Sequence, residues 1–286
     1  MTAESGKITA RSPAKINLFL QVTGRRADGY HTLQSLMCGV SLFDTIGFEF
    51  NVHETIVSCD HPDVPSDETN LAFRAADLFY AHAGLEGHVH IHIEKKIPVG
   101  AGLGGGSSNA ATVLSILNQR YDFPLSPEKL MRLGLAIGAD VPFFMTGKPA
   151  VARGIGEKLQ KVSILSPCHV LLINPGYTVS TAKVYKNFNL GLTKCEKIIK
   201  KIPFDIRRKD ILELLCNDLE TVTGKMFPDI DKMKALLMQH GAEGALMSGS
   251  GPTVFGLFPD LDQVKKACRK ITQFSDRQKF PAELLI

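Results

Sequence analysis

No stretch of this 286-residue chain approaches the roughly 18 uninterrupted apolar residues that a membrane span needs, so a membrane-spanning role is not expected. The N-terminal residues 1 to 21 have no long apolar run after their basic residues and no Arg- and Ser-rich amphipathic extension. Secretion and organelle import are therefore not expected either, and the mature chain is read as starting near Met1 in the cytoplasm. No CxxC pair and no zinc-like spacing links the six cysteines Cys38, Cys59, Cys168, Cys195, Cys216 and Cys268, which we read as reduced thiols. A large charge excess is also missing. Thirty-three basic against 29 acidic side chains leave a formal +4, too little to demand nucleic acid yet compatible with an anionic ligand. What is present is globular: 44% hydrophobic and 22% charged residues exclude disorder, and the length predicts two domains.

Periodicity and punctuation place the elements. Residues 16–22, 35–43 and 45–50 are rich in β-branched residues, Leu and Phe and are separated by Gly and Asp, which predicts strands. Leu71, Ala75, Leu78 and Phe79 follow helical spacing over 70–83, with Ser66, Asp67 and Thr69 as cap candidates. Residues 88–94 alternate, with Val89, Ile91 and Ile93 on one face of a half-buried strand and His88, His90, His92 and Glu94 on the other. Ser126, Pro127 and Glu128 open a helix toward Ile137, and Val141-Pro142 ends it, leaving Asp140 at a bend. The pattern loosens from Lys158 to Pro167, where we place the domain boundary. Beyond it, strands near 170–173 and 253–258 and a helix over 261–271 predict an α+β second domain.

Between the strand and the next helix lies Pro98-Val99-Gly100-Ala101-Gly102-Leu103-Gly104-Gly105-Gly106-Ser107-Ser108. Glycines let consecutive amides point one way and a ligand approach the backbone, and a helix start adds positive potential, so the loop reads as a phosphate site. It lacks the GK[ST] ending of a Walker loop, so a cation must come from elsewhere. Gly100, Gly102 and Gly105 satisfy the dinucleotide fingerprint. The preceding strand is not continuously apolar, however, and no strand ending in an acid follows the helix, Asp122 lying in a loop.

The loop resembles the second motif of the GHMP kinases. PAKINLFL (13–20) resembles their first motif and SGSGPTVFG (248–256) their third. GRRADGYH (24–31) and GADVPFF (138–144) are similar to the branch that acts on 4-diphosphocytidyl-2-C-methyl-D-erythritol. The resemblance spans about residues 12 to 258. It implies a two-domain α+β GHMP kinase fold: an N-terminal nucleotide-binding domain over 1–160 resembling a ribosomal-protein fold, and a ferredoxin-like C-terminal domain over 161–286. It further implies ATP and Mg2+, and phosphorylation of that compound's 2-hydroxyl in non-mevalonate isoprenoid synthesis. No nucleic-acid or membrane partner is expected, and the chain is expected as a monomer or weak dimer. The alternatives are a homoserine or mevalonate type of kinase, which GADVPFF and DGYH oppose, and a non-catalytic RNA-binding module.

By this resemblance Asp140 is the base that takes the hydroxyl proton, and Lys15 stabilises the carboxylate and the transferring phosphoryl. Asn17 shares the strand face of Lys15 and is a substrate contact. Ser107 and Ser108 either bind phosphate or metal or cap the helix. Tyr30 and His31, after the Asp28-Gly29 turn, are placed by the cytidine, and Tyr185 is placed stacked on the cytosine, with core packing as the other reading. His88, His90 and His92 are read as a solvated face, with no structural metal. So is the basic stretch Lys194, Lys197, Lys200, Lys201, Arg207, Arg208 and Lys209, which carries no aromatic RNA platform.

Overall fold

The computed structural model describes residues 7–162, 164–195, 205–275 and 278–286; Lys197, Lys200 and Lys201 lie outside these. The chain packs into two compact units, neither a single consecutive stretch: Met1–Ala14 with Phe43–Val99 and Gly104–Gly147, and Lys15–Leu42 with Gly100–Leu103 and Lys148–Ile286.

Strands β1 (Ile8–Arg25) and β2 (His31–Phe50) are longer than periodicity predicts. Asp44, read above as a turn residue between two strands, lies inside β2 and is fully buried. Its carboxylate is satisfied there by Lys96 N and Ile97 N, each at 2.9 Å, and by Lys95 Nζ at 2.5 Å, so a polar residue does not interrupt the strand. In the first unit β3 (Ile56–Cys59) and β4 (Val89–Glu94) pair in parallel, with α1 (Leu71–Ala83) as the crossover, and β4 runs antiparallel to β2 with Phe48 opposite Ile91. The expected alternation holds, since Val89, Ile91 and Ile93 are buried at 1% exposure or less. They join Phe79, Leu114 and Leu117 in a core covered by α1, α2 (Gly105–Arg120), α3 (Pro127–Ile137) and α4 (Val141–Thr146). The cap of α1 is none of the expected candidates. Asn70 Oδ1 accepts from Ala72 N at 2.8 Å, while Asp67 accepts from Thr69 N and shapes the preceding turn. Ser126 caps α3 as expected, accepting from Lys129 N.

The second unit continues with β5 (Ala150–Gly154), β6 (Lys158–Lys161), β7 (Ile164–Leu165), β8 (His169–Ile173), α5 (Thr181–Asn187), β9 (Asp205–Ile206) and α6 (Arg208–Leu214). β10 (Cys216–Asn217), α7 (Glu220–Met226), α8 (Asp229–Gln239), β11 (Gly244–Met247), β12 (Val254–Phe258), α9 (Leu261–Lys270) and β13 (Lys279–Leu285) complete it. Its strands run β10-β1-β2-β13-β8-β12-β11, with β5 on β2 and β6 on β5. The core includes Leu171, Ile173, Val184, Met233, Leu237, Val254 and Phe258. The loosened stretch before residue 167 thus includes two short strands.

One expectation is corrected outright. Cys195 and Cys216 form a disulfide, with Cα atoms 5.7 Å apart. The pairing of β10 with β1 and the capture of Lys194 N and Cys195 N by Asp218 Oδ1 bring the two together, contacts that single, widely spaced cysteines do not reveal. Cys38, Cys59, Cys168 and Cys268 are free thiols, and burial raises the pKa of Cys38 and Cys168. Among the described residues no helix is long and apolar enough to cross a membrane.

Candidate active site

The glycine loop follows β4 and leads into α2. Gly100, Gly102 and Gly104 have φ of +60°, +76° and +71°, a region L side chains enter at a cost. These dihedrals turn every carbonyl from residue 100 to 104 onto a donor. Gly100 O accepts from Val179 N, Ala101 O from Thr253 N, Leu103 O from Lys15 N and Gly104 O from Ser108 N, while Ser248 Oγ donates to Gly102 O at 2.9 Å. The N–H groups from Gly100 to Ser107 donate to no acceptor among the described residues. A run of inward carbonyls and unclaimed amides is the backbone arrangement that receives an anion. Ser107 and Ser108 do not cap α2, whose N-cap is Gly104 without a side-chain bond. Ser108 is fully buried with its Oγ 2.7 Å from Ser12 Oγ, while Ser107 is half-buried.

Beneath this start of α2 lie charges that sequence reasoning missed. Lys95 Nζ would come 2.9 Å from a Cβ on Gly105, and the same ammonium pairs with buried Asp44. With its amide nitrogen turned toward Ser12, Asn109 donates to Gly105 O and Asp44 Oδ2 at 3.1 Å each. Only the general need for a cation near a loop lacking the Walker lysine pointed this way. Asp140, also in the first unit, is half-buried at the head of α4 and spends no hydrogen bond on capping it. Gly138, two residues before it, packs where a Cβ would meet Ser107 Oγ at 3.6 Å.

In the second unit Lys15 and Asn17 share one face of β1, as their spacing predicts, and are 4% and 3% exposed. Lys15 Nζ donates to Asn17 Oδ1 at 2.6 Å, and Asn17 Nδ2 donates to Ser35 Oγ at 2.8 Å. The turn Ser248–Gly251 lies against this pair. Gly249 has φ of +56°, and a Cβ there would sit 3.3 Å from Asn17 Oδ1 and 3.4 Å from Lys15 Nζ. The N–H groups of Gly249 and Ser250, like those of the glycine loop, donate to no acceptor among the described residues. A cationic, amide-rich corner results.

The same unit brings His31 and Tyr185 together, with ring centroids 5.4 Å apart, and Phe188 meets His31 edge-on at 6.2 Å. Tyr185 is half-buried on α5, whereas Tyr30 is 62% exposed at the Asp28-Gly29 turn. Burial, with a smaller contribution from the positive Arg25, lowers the His31 pKa, so its ring is neutral at pH 7. Such a pair of flat rings, one with ring nitrogens, suits a nucleobase. The strand histidines are engaged locally: His90 Nε2 and His92 Nδ1 both lie 2.9 Å from Ser58 Oγ. The one metal-like cluster among the described residues is Cys195, Cys216 and Asp218, but its thiols are joined and both Asp218 oxygens accept backbone N–H groups.

Two family models match the chain, the GHMP kinases N terminal domain over residues 70–148 and the GHMP kinases C terminal over 200–276. A 4-diphosphocytidyl-2-C-methyl-D-erythritol kinase of Syntrophotalea carbinolica is 48% identical over 95% of this chain and 97% of the relative. The chain belongs to the GHMP kinase family. A relative of the same name, from Syntrophus aciditrophicus, is 46% identical over 90% of this chain and 91% of its own. A crystal structure of 4-(cytidine 5'-diphospho)-2C-methyl-D-erythritol kinase matches with a TM-score of 0.81 and 35% identity over 98% of this chain and 100% of that one. A homoserine kinase from Cytophaga hutchinsonii matches with a TM-score of 0.74, but at 17% identity this is likeness of fold alone, over 99% of this chain and 95% of that one. The expected α+β GHMP kinase fold holds.

Proposed function

We propose that this chain transfers the terminal phosphoryl of ATP to the 2-hydroxyl of 4-diphosphocytidyl-2-C-methyl-D-erythritol. The observation that carries the reading is the loop from Gly100 to Ser107, whose unclaimed amides match the phosphates of a nucleotide. The names of the relatives at 46–48% identity support the acceptor, as does the His31–Tyr185 pair, which has the shape and chemistry to hold a cytosine. Phosphoryl transfer needs positioning and charge neutralisation more than covalent help. Asp140 accepts the hydroxyl proton, the Lys15 ammonium meets the phosphoryl oxygens, and Asn17 orients Lys15 and contacts the acceptor. The Ser107 hydroxyl and the Asp140 carboxylate are hard oxygen donors of the kind Mg2+ takes. When bound, that ion neutralises phosphate charge. Tyr30, exposed beside His31, covers the cytidine. The reading keeps the enzyme in the cytoplasm, acting on a small molecule as a monomer or weak dimer.

The test is ADP release with a panel of alcohols. Release with the diphosphocytidyl alcohol and little with homoserine or mevalonate is expected. Turnover of either amino acid or mevalonate without turnover of the nucleotide alcohol would transfer the chain to another branch.

A further inference from the structure

The turn Ser248–Gly251 is held by side chains outside it, which divide the work. Glu220 Oε1 accepts from Met247 N at 2.7 Å, Thr223 Oγ1 donates to Ser250 O at 3.1 Å, and the Thr181 and Ser250 hydroxyls lie 2.8 Å apart. Asn217 does more. Its side chain is buried, its Nδ2 donates to both Met247 O and Gly249 O at 2.8 Å, and its Oδ1 accepts from Leu219 N at 3.0 Å. Both donors and the acceptor oxygen of the amide are thus engaged, a three-point bridge that no other uncharged side chain of this size makes. Among the described side chains only Asn217 bonds to Gly249, the glycine that packs on Lys15 Nζ and Asn17 Oδ1. Asn217 also sits opposite Leu20 in the parallel pairing of β10 with β1, the strand that carries Lys15. One residue is therefore anchored to the strand of Lys15 and grips the turn lying on Lys15.

We infer that Asn217 is a positioning residue for phosphoryl transfer, setting the Gly249 turn against the Lys15–Asn17 pair without touching substrate. This rests on the proposed function, in which Lys15 meets the phosphoryl group. Removing the amide strands two buried carbonyls, and the turn relaxes away from the ammonium. A displacement of about 1 Å at a reacting centre costs on the order of 10²-fold in rate. The glycine loop, held by its own carbonyls, keeps its grip on ATP.

The test compares Asn217→Ala, Asn217→Ser and Asn217→Asp with Lys279→Met. Lys279 Nζ likewise donates to two buried carbonyls, Cys268 O and Ile271 O, at the end of α9. Asn217→Ala is expected to lower kcat by about 10- to 100-fold with KM for ATP within about three-fold. It should also speed hydrogen exchange at Ser248 N and Gly251 N, which are bonded to Thr253 O and Ser248 O. Asn217→Asp should lose at least as much, since carboxylate oxygens would face two carbonyls. Asn217→Ser, with one donor, should retain more and serves if the alanine variant does not fold. Lys279→Met should lower Tm and leave kcat near wild type. The inference is overturned if Asn217→Ala and Asn217→Ser keep wild-type kcat, or if Lys279→Met loses as much kcat for the same fall in Tm. If the wild type turns over no alcohol, the proposed function fails, and exchange then judges Asn217 alone: unchanged protection of Ser248 and Gly251 overturns the positioning role.

Discussion

Between Gly100 and Ser108 the chain is held through its backbone carbonyls, which take the main-chain N–H groups of Val179, Thr253, Lys15 and Ser108 and the Ser248 hydroxyl. Between Ser248 and Gly251 the turn is gripped instead by the side chains of Asn217, Thr223 and Thr181, and Glu220 holds Met247 just before it. Both segments use glycines at positive φ and both leave amides unclaimed. The bend of the first is encoded where it stands, because glycine enters those dihedrals without the cost that an L side chain meets. The second depends on the identity of side chains from elsewhere in the sequence, where the distant partners of the first are mostly backbone N–H groups. A backbone-held loop suits a ligand recognised by charge alone. A side-chain-held turn suits a group whose position relative to Lys15 must be set.

If both turns hold ligands and neither performs the chemistry, separating the two functions gives the largest effect. Asp140→Asn should lower turnover by ~10²- to 10⁴-fold while ATP binding, followed by calorimetry, is unchanged. Wild-type turnover would remove Asp140 from the mechanism.

Next comes the point where the two turns touch. A Cβ on Gly102 would overlap Ser248 O, and φ there is positive, so Gly102→Val should cost about 3 kcal/mol or more of stability and weaken ATP binding. Gly106→Ala is the matched control. This residue lies in α2 and its Cβ would meet only Leu71 Cδ1 of α1, at 3.5 Å, so denaturant unfolding should shift by less than about 1 kcal/mol, toward greater stability. Equal losses in the two variants would mean that dihedrals and close approach do not distinguish these glycines.

The aromatic pair should affect the acceptor and leave both turns alone. Tyr185→Ala is expected to raise KM for the nucleotide alcohol by the equivalent of about 1 to 3 kcal/mol, with KM for ATP unchanged and Tyr185→Phe near wild type. An unchanged constant in both variants would make Tyr185 a packing residue.

The smallest effect is a pH dependence. Burial and Arg25 hold the His31 pKa below 6.5, so the unfolded chain binds this proton more readily than the folded one. Stability should therefore fall as pH drops from 6.5 through the folded-state value, and Tm of His31→Gln should fall less over that window. Parallel curves for the two proteins would show that His31 does not contribute.

Alternation at Val89, Ile91 and Ile93, the Ser126 cap and the strand face shared by Lys15 and Asn17 were legible because each is decided within a turn or two of chain. Asp44 was misread because polar residues inside strands look like turns until a buried partner such as Lys95 is seen. The cap of α1 moved to Asn70 because several capping residues crowd the same stretch and only the path of the chain selects one.

The amino-acid sequence alone determined where the backbone bends and where it alternates, since φ tolerance and side-chain periodicity are local properties. It also placed the chain among proteins sharing its glycine motifs. Which distant groups meet was decided by tertiary structure. Cys195 reaches Cys216, Asn217 reaches Gly249 and His31 reaches Tyr185 only because strand registers and helix packing bring them together. Those registers are fixed by the burial of whole faces, a sum over many residues that no short motif carries.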